Sequence, residues 1–93
     1  MNDKTYNGWT NYATWLVNLQ LFDGVDPREQ YAHCTDAYDL GDALKDTATL
    51  YIEDTSEEGI ARDYALAFLS DVDWRAIARH MADDYELFTD DAA

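Results

Sequence analysis

One cysteine, one proline, four glycines and six basic side chains are all that this 93-residue chain has of each, and each shortage closes off a class of protein. Cys34 alone forms no intrachain disulfide, and no Cys-x-x-Cys pair or finger-like Cys/His spacing is present, so the chain encodes neither a disulfide scaffold nor a zinc finger. The scarcity of Pro and Gly leaves no linker, and nothing repeats at a fixed period. The longest apolar stretch, Leu16 to Phe22, is broken by Asn18 and Gln20, and no leader-like segment follows Met1-Asn2-Asp3-Lys4. These features predict a cytoplasmic protein in a reducing compartment. The shortage of Lys and Arg matters most. Twenty acids against six bases give a net charge of -14 and a pI near 4.1, so nucleic acid and anionic membranes are repelled.

What is present is the material of a core: 47% hydrophobic and 14% aromatic residues are far from the composition of a disordered acidic tail. A chain of this length buries roughly 60–65% of its unfolded surface, enough for one domain spanning 1–93. Asn7-Gly8 signals a turn, after which Thr10 or Asn11 caps a helix with Tyr12, Trp15, Leu16, Leu19 and Phe22 on one face; Asp23-Gly24 ends it. Asp26, Pro27 and Glu29 stand in the order of cap, first helical position and capping-box acid, predicting a short helix from Pro27 to about Cys34. Leu40, Leu44, Ala48 and Tyr51 place a third helix between Asp36 and about Asp54, with Gly41 a weak point that moves its start to Asp42 if the helix breaks there. Ser56 is the expected cap of a fourth helix carrying Ile60, Ala61, Tyr64, Ala65 and Phe68, with Glu57 and Glu58 on its positive end. A fifth begins at Asp73, where Val72 and Ile77 form a hydrophobic staple and Trp74, Ile77, Ala78, Met81 and Tyr85 face inward. No segment alternates with period two. The fold class is all-α, a compact single domain of about five short helices.

The segment Tyr6-Asn7-Gly8-Trp9-Thr10-Asn11-Tyr12-Ala13-Thr14-Trp15, together with Asp39-Leu40-Gly41-Asp42-Ala43-Leu44-Lys45 and Val72-Asp73-Trp74-Arg75-Ala76-Ile77-Ala78, resembles a family of small proteins from phages and mobile elements. The chain is also similar to anti-CRISPR proteins directed at type I-C systems. The resemblance spans most of the chain and implies inhibition of host defence inside a bacterial cell; it supplies no catalytic residues. Relatives tend to carry Glu where this chain has Ala13 and Ala76, so with Thr10 and Asp73 as caps both capping boxes would lack their reciprocal acid.

Acidity is unevenly distributed. Residues 1–35 hold four acids and two bases, residues 36–63 nine and two, residues 64–93 seven and two. At about 100° per residue, Asp39, Asp42, Asp46 and Glu53 fall on one side of the third helix, opposite Leu40, Leu44 and Tyr51. Successive members lie about 4.5, 6 and 10.5 Å apart along the axis, a coarse copy of phosphates spaced about 3.4 Å along one DNA strand. A second row would come from Glu57, Glu58 and Asp63, or from Asp83, Asp84 and Glu86. Carboxylates offer Arg and Lys the charge-assisted hydrogen bonds that phosphate oxygens do. The expected partner-binding residues are therefore Asp36, Asp39, Asp42, Asp46, Glu53, Asp54, Glu57, Glu58 and Asp63, presented as a double-stranded DNA mimic to the basic duplex- or PAM-reading surface of a defence effector, with type I-C Cascade the target the resemblance implies. Two other readings stand beside it: an acidic helical adaptor for another basic protein, and a halophilic surface, since fifteen Asp, five Glu and two Lys is also a high-salt composition.

Other residues point nowhere specific. His33-Cys34 and His80 lack the third group that would orient a base and the spacing of a metal site. The Asp71-x-Asp73 and Asp83-Asp84 pairs lack the order of a calcium loop. No catalytic residue, metal ligand or cofactor is assigned, and an enzyme is not expected. Trp9, Tyr12 and Trp15 are expected inside, where a small domain needs its large side chains.

Overall fold

The computed structural model describes residues 8–88; Tyr6 and Asn7 of the opening motif lie outside them. Five α-helices follow in order: α1 (Tyr12–Val17), continued by a π-helical turn at Asn18–Phe22, α2 (Pro27–Gln30), α3 (Ala37–Thr55), α4 (Ile60–Leu69) and α5 (Trp74–Asp84). The fold is all-α, with no strand among the described residues. No helix among them is long and apolar enough to cross a membrane.

The cores of α3 and α5 face each other. Leu40, Leu44 and Ala48 from α3 and Ile77 and Ala78 from α5 are fully buried, joined by Met81, Leu69, Val17 and Phe22 in one cluster. Each fully buried Leu or Ile contributes roughly 1.5–3 kcal/mol. Gly41 lies inside an unbroken α3. A Cβ there would stand 3.3 Å from the carbonyl oxygen of Trp74 and 3.4 Å from its carbon, so glycine is what lets the start of α5 approach α3. Tyr51, expected on the buried face, is 55% exposed because the core line continues through Ile52 instead.

Local caps explain most helix starts. Asn11 Oδ1 accepts from the Thr14 N–H, Asp26 Oδ1 from Arg28, Asp36 Oδ1 from Asp39 and Asp73 Oδ1 from Ala76. Val72 and Ile77 are both buried, as a staple requires. Helix α2 stops at Gln30, short of Cys34. Tyr31 leaves helical geometry to enter the core, where its hydroxyl donates to Thr47 Oγ1 (2.8 Å), whose own proton goes to the Ala43 carbonyl.

Helices α1 and α4 also depart from the sequence expectation. The inward face of α1 is Ala13, Thr14 and Val17, whereas Tyr12 and Leu19 are about half exposed. Five residues advance an α-helix by about 140° beyond one turn, so Val17 and Phe22 would diverge; the π-helical turn brings both inside. Ser56 does not cap α4. Its hydroxyl donates to the Ile52 carbonyl (2.6 Å) at the end of α3, and α4 starts after Gly59, whose φ of +147° suits only glycine. On α4 itself, Ile60 and Tyr64 are about two-thirds exposed and Phe68 is more than a third exposed, while Leu69 is the residue that packs inside.

Candidate functional site

The nine carboxylates singled out from the sequence are all solvent-exposed, and among the described residues none of them forms an ion pair. Asp42, Asp46, Glu53 and Asp54 stand on α3, Glu57 and Glu58 on the bend that leads to α4, and Asp63 in the first turn of α4. Asp42, Asp46 and Glu53 lie opposite the buried Leu40, Leu44 and Ala48, separating acid from core as the periodicity requires, while Asp54 stands at the flank. Two of the nine also serve the fold. Asp36 caps α3, and Asp39 Oδ2 accepts from the N–H and hydroxyl of Thr35 (3.2 and 3.1 Å), tying down the chain entering the helix. Leu50 is exposed among these acids, an apolar interruption that the sequence reading did not note.

Three of the arginines are engaged away from this surface. Arg62 begins in the middle of the acidic segment but turns its guanidinium to the end of α3: Nη2 donates to the carbonyls of Glu53 (2.8 Å) and Ser56, and Nε to Ser56 Oγ (3.3 Å). Carbonyls at a helix C-terminus carry the negative end of the dipole, so the cation is well placed there. Arg75 lies over the Tyr38 ring at 3.9 Å. Arg28 pairs with Asp26 at 2.9 Å and sits 5.1 Å over Tyr85. That bidentate hydrogen bond from Arg28 holds the Asp26 carboxyl below its ordinary range. At the far end Asp84 meets His80 (3.4 Å), so the C-terminal acids are less free than the α3 group.

The opening motif has a structural task. Thr10 Oγ1 donates to Asp73 Oδ2 (2.8 Å), Asn11 Nδ2 to the Asp71 carbonyl (2.9 Å), and the Asp73 N–H to Thr14 Oγ1 (2.9 Å). Asn11, not Thr10, is the cap of α1, and its third helical position is Thr14, whose hydroxyl donates to Asn11 Oδ1 (2.6 Å). Thr14 therefore links the two caps. Trp9, Tyr12 and Trp15 are only partly buried: Trp9 packs obliquely on His80 with ring centres 4.6 Å apart, and Tyr12 lies 5.7 Å from Trp15. Cys34 is buried with its sulfur 3.8 Å from His33 Nε2, and burial, with Asp39 and Asp36 nearby, pushes its thiol pKa up. Such a thiol is a poor nucleophile at neutral pH.

A family model matches residues 2–91, nearly the whole chain, and its description is a family of unknown function, DUF7249. The chain belongs to this family. No curated protein and no solved structure matches it.

Beside the acids lies a feature that the helical periodicity concealed. Leu16, Gln20 and Leu21 on one side, Tyr51 and Ile52 below, and Ala65 and Phe68 opposite enclose an open groove of about 330 Å³ with no charged residue in its lining. Its composition is that of a surface awaiting apolar contact.

Proposed function

We propose that this protein is an inhibitor that presents an acidic, duplex-DNA-like surface to the basic DNA-reading surface of a host defence complex. The observation that carries the reading is the state of the acids: nine exposed carboxylates between Asp36 and Asp63 without a paired cation among the described residues, and the one arginine in their midst turned to backbone carbonyls. Holding so many like charges within one short stretch of the chain opposes compaction, and a basic counterpart relieves it. Asp42, Asp46 and Glu53 form the centre of that surface. Asp36 and Asp39 add charge while fixing the start of α3. The resemblance of the sequence to anti-CRISPR proteins of type I-C systems supports an effector of that kind as the target, engaged where protein rather than guide contacts the duplex. The protein acts by occupancy, with no chemical step.

The test is a binding assay of the protein against purified type I-C effector complex with duplex target as competitor. Mutually exclusive binding that weakens steeply between low and high salt is expected. The triple variant Asp42→Asn/Asp46→Asn/Glu53→Gln should lose at least tenfold in affinity with unchanged circular dichroism. Simultaneous binding of protein and duplex, or full affinity in the triple variant, would refute occupancy through this surface; binding to a different basic protein alone would favour the adaptor.

A further inference from the structure

The open groove of about 330 Å³ between the π-helical turn, the end of α3 and α4 shares one residue with the acidic surface. That residue is Tyr51. Its ring lines the groove beside Ile52 and across from Phe68, and 55% of it is exposed. Asp54, three residues further along α3, is its neighbour on the helix surface, about 5–6 Å away between Cβ atoms. Asp46, Leu50 and Asp54 follow one another at i, i+4 spacing, so a single ridge of α3 carries two carboxylates and an exposed leucine past Tyr51. Glu53 lies about a quarter turn beyond Ile52. The lining itself holds no charge, and Arg62, one turn before Ala65, is drawn to the carbonyls of Glu53 and Ser56. A neutral apolar slot is therefore bordered at the end of α3 by carboxylates without an ion pair among the described residues.

Building on the duplex-like reading of the acids, we propose that the groove receives one apolar side chain of the partner, projecting from a segment whose flanking residues are Arg or Lys. Charge complementarity selects this occupant. An acidic peptide, or a second copy at a net charge of -14, meets like charge at Asp54 and Glu53. A basic segment pairs with those carboxylates while its apolar residue leaves water, whereas a segment that is basic throughout leaves the slot unfilled. Proteins that deform duplex DNA carry such a residue, an apolar wedge that enters between base steps beside cations that hold the backbone. In this chain the slot between Tyr51 and Phe68 takes the place of the opened base step, and the ridge of Asp46 and Asp54 that of the phosphates. An apolar anchor inside a charged rim is also where interface energy concentrates, with tyrosine among the favoured walls.

The experiment is a methyl-detected NMR titration of the full chain with two synthetic peptides, one a phenylalanine flanked on each side by a run of lysines, the other with serine in its place. Both should bind through the acids and weaken as salt rises. The phenylalanine peptide should bind at least about fivefold more tightly and shift the methyls of Leu16, Leu21, Ile52 and Leu69. Ala65→Leu, which fills the slot from its partly buried wall, should abolish that difference and leave the serine peptide's affinity unchanged. Phe68→Ser, at a ring more than a third exposed, should do the same by removing a wall, and circular dichroism checks that both variants fold. Glu53→Gln/Asp54→Asn should weaken both peptides. Equal affinity for the two peptides, binding of neither, or a preference that survives in a folded slot variant overturns the proposal. So does a phenylalanine peptide that the Glu53 and Asp54 substitutions leave at full affinity, or groove methyls that shift with protein concentration alone, as a second copy would cause. Because the peptides need no effector, a groove preference seen without effector binding would mark failure of the inhibitor reading alone, and effector binding without that preference would mark failure of the groove alone.

Discussion

The backbone N–H of Asp73 donates to Thr14 Oγ1 at 2.9 Å, and the same hydroxyl donates to Asn11 Oδ1 at 2.6 Å, so a fully buried threonine joins the cap of α5 to the cap of α1. Thr14→Val keeps the shape and removes both bonds, leaving the Asp73 N–H without its acceptor. The expected loss is about 1–3 kcal/mol, read as a lower midpoint in denaturant, whereas Thr14→Ser retains most of the stability. A double-mutant cycle with Asn11→Ala should show coupling of at least about 0.5 kcal/mol; strictly additive losses would mean the two caps act separately.

Gly41→Ala tests the close approach of α3 and α5. Helix propensity alone favours alanine by up to about 1 kcal/mol. The added methyl, however, would meet the Trp74 backbone at 3.3 Å, and backbone yields less readily than a side chain. Overpacking of this kind costs about 1–3 kcal/mol, so a net destabilisation is expected. At about 4–8 °C per kcal/mol for a domain of this size, thermal melting resolves it, and an unchanged or higher midpoint would show that α5 can shift without cost.

Arg62 separates stability from charge. Arg62→Ala removes charge-assisted hydrogen bonds to the carbonyls of Glu53 and Ser56 and should destabilise by about 1–3 kcal/mol. Lysine should rescue it only in part, because an ammonium cannot match the planar fork. The same substitution makes the acidic surface more negative, so target affinity should hold or rise; a loss of affinity in folded protein would make Arg62 part of the contact.

Cys34 gives the pH dependence. Burial raises the thiol pKa in the folded chain above its unfolded value of about 8.5, so the native state keeps its proton where the unfolded state loses it. Stability from this group is complete below the unfolded pKa and declines as pH rises through it toward the folded value. Alkylation by iodoacetamide at pH 7.5 should accordingly be slower in native protein than in urea, and equal rates would place the thiol at the surface.

What sequence reveals here is what local chemistry decides. The caps at Asn11, Asp26 and Asp73 were legible because a side-chain oxygen two or three residues ahead of an N–H needs no tertiary information, and the α5 face was legible because Ile77, Ala78 and Met81 repeat against polar neighbours. Ser56 misled because its hydroxyl had a second local acceptor, the Ile52 carbonyl, and Arg62 reinforced that choice. The π-helical turn could not be read, since nothing in Asn-Leu-Gln-Leu-Phe distinguishes it from α-helix before Val17 and Phe22 are required in the same core. Helix α4 was apolar on two faces, and periodicity does not say which one turns inward. The exposure of the acids followed from their type. The duties of Asp36 and Asp39 did not, because they depend on Thr35 and on where α3 begins.

The clasp between the two caps also sets an order of events. Asn11 and Thr14 find their partners at Asp71 and Asp73, some sixty residues later in the chain, so closing it fixes a long loop whose entropy must be offset by contacts at the far end. On the ribosome, synthesis proceeds from the N-terminus, and the cap of the first helix lacks its Asp71 and Asp73 partners until the last helix begins. The α3 acids are exposed to the cell from early in translation, but the framework that holds them rigid is completed only when α5 arrives.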